Sequence, residues 1–358
     1  MKVSRFLSVM LMVALVAVGC GGSPSKAPES APAAPSAQDQ PKAQAPAKPA
    51  DKVQIPIGGA TSSLIYLPPV LAKALGYFAE ENIDAEIVGM KSGAESAQAL
   101  VSGQVDFAGL AVEHAVKSRA QGVDLVMVDL FVRYPGVTLI VDSKLKDKVK
   151  TVADLKGMKV GVTSPGSGTH KAMLSLMDKF GLNVNDVEIV GVGTSGMPAA
   201  IESGKVSAAV GLDPWVTEML SSGKAFSLWD LRSKKDTEEL YGGDYPFVGL
   251  MTRKEVIEKN PDLVARVTRA VTRANLFLAN NSAETIVSKL PAEVRGDNEA
   301  LYLASLRNTL EAYAPNGLAT EKGLQIVIDS LIKDKVIPSD ANIKPAMVFD
   351  ASYASKVK

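Results

Sequence analysis

Glu86-Ile87-Val88-Gly89 recurs about one hundred residues later as Glu188-Ile189-Val190-Gly191. Downstream, Ser102-Gly103-Gln104-Val105 recurs as Ser203-Gly204-Lys205-Val206, and each copy runs into a short apolar stretch. Each copy reads as strand, Gly-rich loop, short helix, Ser-Gly turn and strand. One supersecondary unit written twice implies two similar α/β lobes rather than one large core. Two such lobes enclose a cleft, and a cleft implies a ligand.

Composition narrows the ligand. The chain has 358 residues, 46% of them apolar, with 39 basic side chains against 39 acidic ones. That length buries two cores comfortably and is long for one. Zero net charge gives no electrostatic reason to expect nucleic acid or an anionic membrane surface. An aromatic content of 5% also argues against base-stacking platforms. A small molecule is the expected partner, and a monomer the expected state.

The first residues read as an export address. Lys2 and Arg5 precede the apolar run from Phe6 to Val18, which is too short to span a bilayer comfortably, and Gly19-Cys20 follows. Ala17-Val18-Gly19-Cys20 resembles a bacterial lipobox, so residues 1–20 are expected to act as a signal peptide with Cys20 lipidated. Cys20 is the only cysteine, which leaves no intramolecular disulfide. Residues 21–52 are rich in Ala, Pro, Ser and Lys without apolar periodicity, and are expected to be a disordered tether. Such a tether spans roughly 30 Å as a flexible coil or about 100 Å as polyproline II. The expected location is extracytoplasmic, lipid-anchored to the cell membrane, on the periplasmic side in a Gram-negative host.

From Val53 onward, strands alternate with helices, which predicts βαβ units and mostly parallel sheets. Strand candidates are Val53–Ile57, Ala85–Val88, 105–111, Leu125–Phe131, Val137–Val141, Lys159–Val162 and Phe247–Thr252. The stretch from 213 to Gly243 reads as polar and irregular, and nearly everything after Lys254 reads as helical. Tyr134-Pro135 and Tyr245-Pro246 bracket the second lobe. The expected division is lobe I from 53–136 and 247–340, lobe II from 137–246, and a C-terminal segment at 341–358, with the two crossings as a hinge.

The stretches SSLIYLPPVLAKALGYFAEENIDAEIV, SGQVDFAGL, KGMKVGVTSPGSGTH, ESGKVSAAVGLDP and YPFVGLMTRKEVIEKNP, in that order, resemble solute-binding lipoproteins of ABC importers. The group is the nitrate/sulfonate/taurine type with the related thiamine-precursor (THI5-like) binders. No single stretch is specific, but the ordered set covers Val53 to about Leu331. The resemblance implies an α/β fold of the type II periplasmic-binding class, two Rossmann-like lobes that close on a solute and deliver it to a permease and its ATPase. It implies no enzymatic activity and no cofactor.

In open α/β sheets, ligands bind beyond the carboxyl ends of the strands. That rule selects Thr61, Ser62, Ser63, Lys91, Ser92 and Glu113 from lobe I. From lobe II it selects Ser164, Ser167, Thr169, Thr194, Ser195, Asp213 and Trp215, with Tyr245 at the crossing. Ser164-Pro165-Gly166-Ser167-Gly168-Thr169 is the strongest of these, because glycines admit close backbone approach and a helix N-terminus attracts an anion. The bland reading is that these are ordinary caps and turns. Glu113 and Asp213 would bring a carboxylate from each lobe and favour a ligand with N–H donors; otherwise they only start helices. Lys91 reads as a cation for the ligand or a solvated lysine, Trp215 as a stacking ring or a packed one. His114 and His170 read as capping or surface groups.

A sulfonate, taurine or nitrate anion is the first expectation for the solute, and a thiamine-precursor pyrimidine or an aromatic acid the second. A tethered sensor without transport is a third reading. A dinucleotide-dependent oxidoreductase is a fourth, since Gly191-Val192-Gly193-Thr194-Ser195-Gly196 is a literal GxGxxG with Asp213 about twenty residues on. Against that reading, the matching loop Gly89–Gly93 of the first copy lacks the motif, and the helix that follows is short and holds Pro198. No metal-ligating or esterase motif is present.

Overall fold

The computed structural model describes residues 49–358; the signal segment, Cys20 and the tether up to residue 48 lie outside the described residues. Ten strands form two five-stranded sheets. The first holds β1 (Asp51–Ile57), β2 (Ile83–Gly89), β3 (Phe107–Ala111), β4 (Leu125–Val132) and β10 (Val248–Arg253), in the order β2-β1-β3-β10-β4. The second holds β5 (Val137–Asp142), β6 (Lys159–Val162), β7 (Glu188–Gly191), β8 (Ala208–Leu212) and β9 (Ala225–Asp230), in the order β7-β6-β8-β5-β9. The two orders correspond strand for strand. In each sheet the fourth strand, β10 or β5, runs antiparallel to both neighbours and the others share one direction.

The sequence repeat therefore has a physical address. Its first halves are the equivalent edge strands: Ile57 pairs with Gly89 at the end of β1/β2, and Val162 with Gly191 at the end of β6/β7. Its second halves are the helix-to-strand turns, where Gly103 and Gly204 adopt left-handed φ of 77° and 72°. Only glycine takes that conformation without strain, and it ends the preceding helix in each copy.

The antiparallel strands exist because the chain changes lobes twice. It leaves β4 through 133–136 into β5, and returns through 242–247 into β10. The two crossings run side by side: the Tyr245 amide donates to the Arg133 carbonyl at 3.2 Å and the Phe247 amide to Val132 at 3.0 Å. Tyr134 and Tyr245 are both buried there. After β10, the helix Pro261–Asn280 packs on the lobe I side, and the last segment joins the β4 edge through the Met127–Phe349 bridge. The helix Glu299–Thr309 touches both the turn Leu64–Tyr66 and the lobe II helix Trp215–Ser221.

One stretch departs from expectation. Residues 213–243, read as irregular, contain the helix Trp215–Ser221, β9 and the helix Lys234–Tyr241. β9 is a mostly half-buried edge strand whose apolar run, Ala225-Phe226-Ser227-Leu228-Trp229, sits between polar segments that made the whole stretch read as irregular. The helix at 234–241 is polar on nearly every face and buries only Thr237.

Asp129, on β4, is fully buried beneath the helix Pro261–Asn280. The Thr272 hydroxyl lies 2.6 Å from its Oδ2 and the Asn275 amide donates to Oδ1 at 2.8 Å. Thr272 Oγ1 is also 2.9 Å from the Thr268 carbonyl. One hydroxyl hydrogen cannot serve both acceptors, and a protonated Asp129 donating to Thr272 resolves the conflict. Consistently, burial pushes its pKa up to about 8, against the two hydrogen bonds that pull it down. The folded state then holds a proton that the unfolded chain releases above about pH 4. Its stabilising contribution is complete below that pH and is lost as pH rises toward 8. Thermal unfolding followed from pH 5 to 8 is expected to show this decline, and Asp129→Asn is expected to flatten it.

Candidate functional site

Where the carboxyl ends of β1, β3, β6 and β8 face one another, the lobes close on a cavity of about 20 Å3. That is room for roughly one water molecule. Two helices begin at its wall. The helix Gly93–Val101 enters from lobe I, capped by Ser92, whose hydroxyl accepts from the Glu95 amide at 3.3 Å. The helix Gly168–Lys179 enters from lobe II, capped by Ser167, whose hydroxyl accepts from the His170 amide at 3.3 Å. The first turn of any helix leaves amides without intrahelical partners and carries a partial positive charge. Two such ends meet here.

Backbone reaches the cavity because side chains are missing. A Cβ on Gly58 would stand 2.6 Å from the Gly93 backbone and from the Tyr66 hydroxyl. One on Gly168 would stand 2.6 Å from the Phe247 ring and 3.2 Å from Ala111 Cβ, both across the lobe boundary. Thr163, Ser167 and Thr169 form a hydroxyl cluster behind the lobe II helix start: Thr169 Oγ1 is 2.9 Å from Ser167 Oγ and 3.0 Å from both the Thr163 amide and its hydroxyl. The remaining wall is aromatic and aliphatic, from Tyr66, Phe247, Ile65 and Leu212.

Ser167 and Thr169 thus line the cavity, as the loop rule anticipates. Lys91, Ser92, Ser164, Thr194 and Ser195 line an adjoining groove of about 740 Å3 that shares Thr163 with the cavity. Thr194 there bridges the lobes, its amide donating to Lys91 O at 3.3 Å and its hydroxyl to Gly58 O at 3.5 Å. The literal GxGxxG also borders this groove, but it follows edge strand β7 and opens a helix of six residues. A dinucleotide fingerprint follows the central strand of its sheet.

The other expected residues stand elsewhere. Ser62 faces a separate groove beside Pro214 and Tyr302, while Thr61 and Ser63 line neither space. Asp213 is buried and turned inward. Its Oδ1 accepts from the Thr217 amide and hydroxyl at 2.9 and 2.7 Å and its Oδ2 from Arg232 at 2.8 Å, while the Thr309 hydroxyl, 3.0 Å from the Ser305 carbonyl, lies 3.4 Å from Oδ2. Its acceptor sites are spent on an internal network, so it supplies no free carboxylate to the cleft. Trp215 packs its ring against Gly211 within the second core of lobe II. Glu113 is buried, accepting from the Tyr245 hydroxyl at 3.2 Å, and burial raises its pKa. Tyr245 stacks on Tyr241 with centroids 3.9 Å apart, behind the cavity. Tyr66, Phe247 and Gly58 line the cavity and escaped the loop rule; His114 also lines it, at the end of the loop 111–114 that the rule selects, where it read as a capping or surface group.

Ion pairs fasten the closed arrangement. Lys171, on the lobe II helix that starts at the cavity, meets Asp334 of the C-terminal region at 2.6 Å, with side chains only 5% and 8% exposed. Beside it Lys333 pairs with Asp178 at 2.5 Å in solvent. Lys117 of lobe I donates to the Gly166 carbonyl of lobe II at 2.5 Å. Separating the lobes would return Lys171 and Asp334 to water, so their pairing is tied to closure. Among the described residues no group of His, Cys, Asp and Glu is arranged to hold a metal, and no helix is long and apolar enough to cross a membrane.

A family model described as NMT1/THI5 like matches residues 66–285. The chain belongs to the NMT1/THI5-like family. A solved structure from Bordetella bronchiseptica RB50 shares 31% identity, with 85% of this chain and 96% of that one covered and a TM-score of 0.79. The alkanesulfonate-binding protein SsuA from Xanthomonas axonopodis, solved bound to MOPS, aligns over 84% of this chain and all of its own at a TM-score of 0.65 and 20% identity. The NMT1/THI5-like chain therefore has the periplasmic-binding-protein fold. Among curated relatives it spans only 44% and 64% of the length of the first two. The second is 4-amino-5-hydroxymethyl-2-methylpyrimidine phosphate synthase of Schizosaccharomyces pombe, 24% identical over 62% of this chain.

Gly168→Ala places a methyl group against Phe247 across the boundary and is expected to prop the lobes apart without unfolding either. Small-angle scattering checks this: the variant should have a larger radius of gyration than the wild type in the presence of solute. Equal radii would show that the lobes meet in some other way.

Proposed function

We propose that this NMT1/THI5-like chain is the extracytoplasmic solute-binding component of an ABC importer, capturing a small anion of the sulfonate, taurine or nitrate type between its lobes. One observation carries the reading: two helix N-termini from opposite lobes, at Gly93 and Gly168, open on one cavity together with Ser167 and Thr169. Each helix end favours negative charge, by about 0.3–1 kcal/mol at exposed sites and more where water is excluded. The cavity of about 20 Å3 has to widen to admit such an anion, which then links the two helix ends and favours the joined arrangement of the lobes over the open one. The closed form is then the species a permease recognises. The pattern at Cys20 supports a lipid anchor, with residues 21–50 as the spacer, since Asp51 and Lys52, expected in the tether, already belong to β1. The reading is of capture and delivery without chemistry.

A pyrimidine solute is the second reading, favoured by the Tyr66 and Phe247 rings in the wall and by the synthase among the relatives. Calorimetric titration separates the two. Ethanesulfonate, taurine, MOPS and nitrate are expected to include at least one ligand with Kd near or below about 1 μM, equivalent to about −8 kcal/mol. Tight binding of 4-amino-5-hydroxymethyl-2-methylpyrimidine with none of the anions would transfer the assignment to the pyrimidine. Binding of neither class would overturn both.

A further inference from the structure

His114 is the third residue of the helix Val112–Ala120, and its ring forms part of the cavity wall. Only 6% of it is exposed, and its Nε2 is buried without a hydrogen-bond partner. That atom would stand 3.4 Å from a Cβ on Gly93, so the absent side chain of Gly93 opens the space directly in front of it. A buried polar atom left unpaired pays its desolvation cost without compensation. Folded proteins seldom tolerate that cost without a purpose. The other histidine is employed differently: His170 Nδ1 accepts from the Gly166 amide at 2.9 Å.

We infer that His114 is a specificity-determining residue whose Nε2–H donates to an oxygen of the bound anion, beside the amides at the start of the Gly93–Val101 helix. The inference rests on the anion reading above and names a partner that the helix ends alone do not supply. Burial, and then the charge of Lys117, hold the imidazole in its neutral form. A neutral ring presents one N–H, so this contact adds direction without adding a full charge. Glu113, Lys117 and Tyr66 are the ionisable groups around it, and Lys117 is occupied by the Gly166 carbonyl. Gly93 completes the device, since a methyl group there would sit in ordinary contact with Nε2 and fill the space an oxygen needs.

The chain has two histidines, so each ring can be followed separately. Protein labelled with 15N-histidine is titrated with ethanesulfonate, taurine, MOPS and nitrate, in parallel with calorimetry, and His114→Gln assigns the signals. The expected result is a shift of the His114 Nε2 signal with slowed exchange of its proton, while His170 stays unchanged. Affinity should fall about 10- to 100-fold in His114→Leu, as for a hydrogen bond to a charged group. His114→Gln, which keeps a donor, should recover most of that loss. Binding by calorimetry without a change at His114 overturns this inference and leaves the anion reading standing. Absence of binding overturns the anion reading and this inference with it. If His114→Leu fails to fold, the wild-type titration decides alone.

Discussion

At the cavity between the lobes, backbone rather than long side chains forms much of the wall, and that constraint governs how a ligand can be held. A Cβ on Gly58 or Gly93 would meet neighbouring lobe I groups of the cavity wall, and one on Gly168 would meet Phe247 and Ala111 of the other lobe. Because they carry none, peptide groups and helix ends become the cavity lining. Amides at fixed positions are preorganised donors, and they need no side-chain ordering when a ligand arrives. The hydroxyls of Thr163, Ser167 and Thr169 hold one of these helix starts in place. They position the amides as much as they add donors of their own.

Closure also has a cost and a counterweight. Lys171 and Asp334 give up hydration to pair in the interior, and a buried pair of this kind is weak evidence for net stability. Its consequence is selectivity between states, since neither partner finds the other once the lobes part. The Asp213–Arg232–Thr309 network and the Thr194 contacts add further links across the boundary. Polar links of this kind, close to neutral in total free energy, allow a small solute to shift the open–closed balance, because only differential affinity moves such an equilibrium.

Much of the architecture was legible in the sequence because its signals are local. The repeated Glu-Ile-Val-Gly and Ser-Gly units mark edge strands and left-handed turns, and both are set by residues within a few positions. Tyr-Pro pairs mark the two crossings for the same reason. The helix start at 164–169 is legible because a glycine-rich turn with a Ser cap can be read locally. What stayed hidden depends on contacts distant in sequence. Asp213 looked like a ligand residue until Arg232, further along the chain, took its Oδ2. Tyr66 carries no local signal of a cavity role, yet its hydroxyl faces Gly58 and Gly93. His114 read as a capping or surface group, and only its burial and unpaired Nε2 mark it out. Phe247 acquires its role from Gly168 in the other lobe.

The account depends on a ligand lying between the helix starts at Gly93 and Gly168, and a crystal structure grown with ethanesulfonate tests this most directly. The predicted result is density between the lobes, with sulfonate oxygens within hydrogen-bonding distance of both helix starts and of His114 Nε2. Density confined to the neighbouring groove lined by Lys91, Thr194 and Ser195, with the inner cavity still closed, would contradict it.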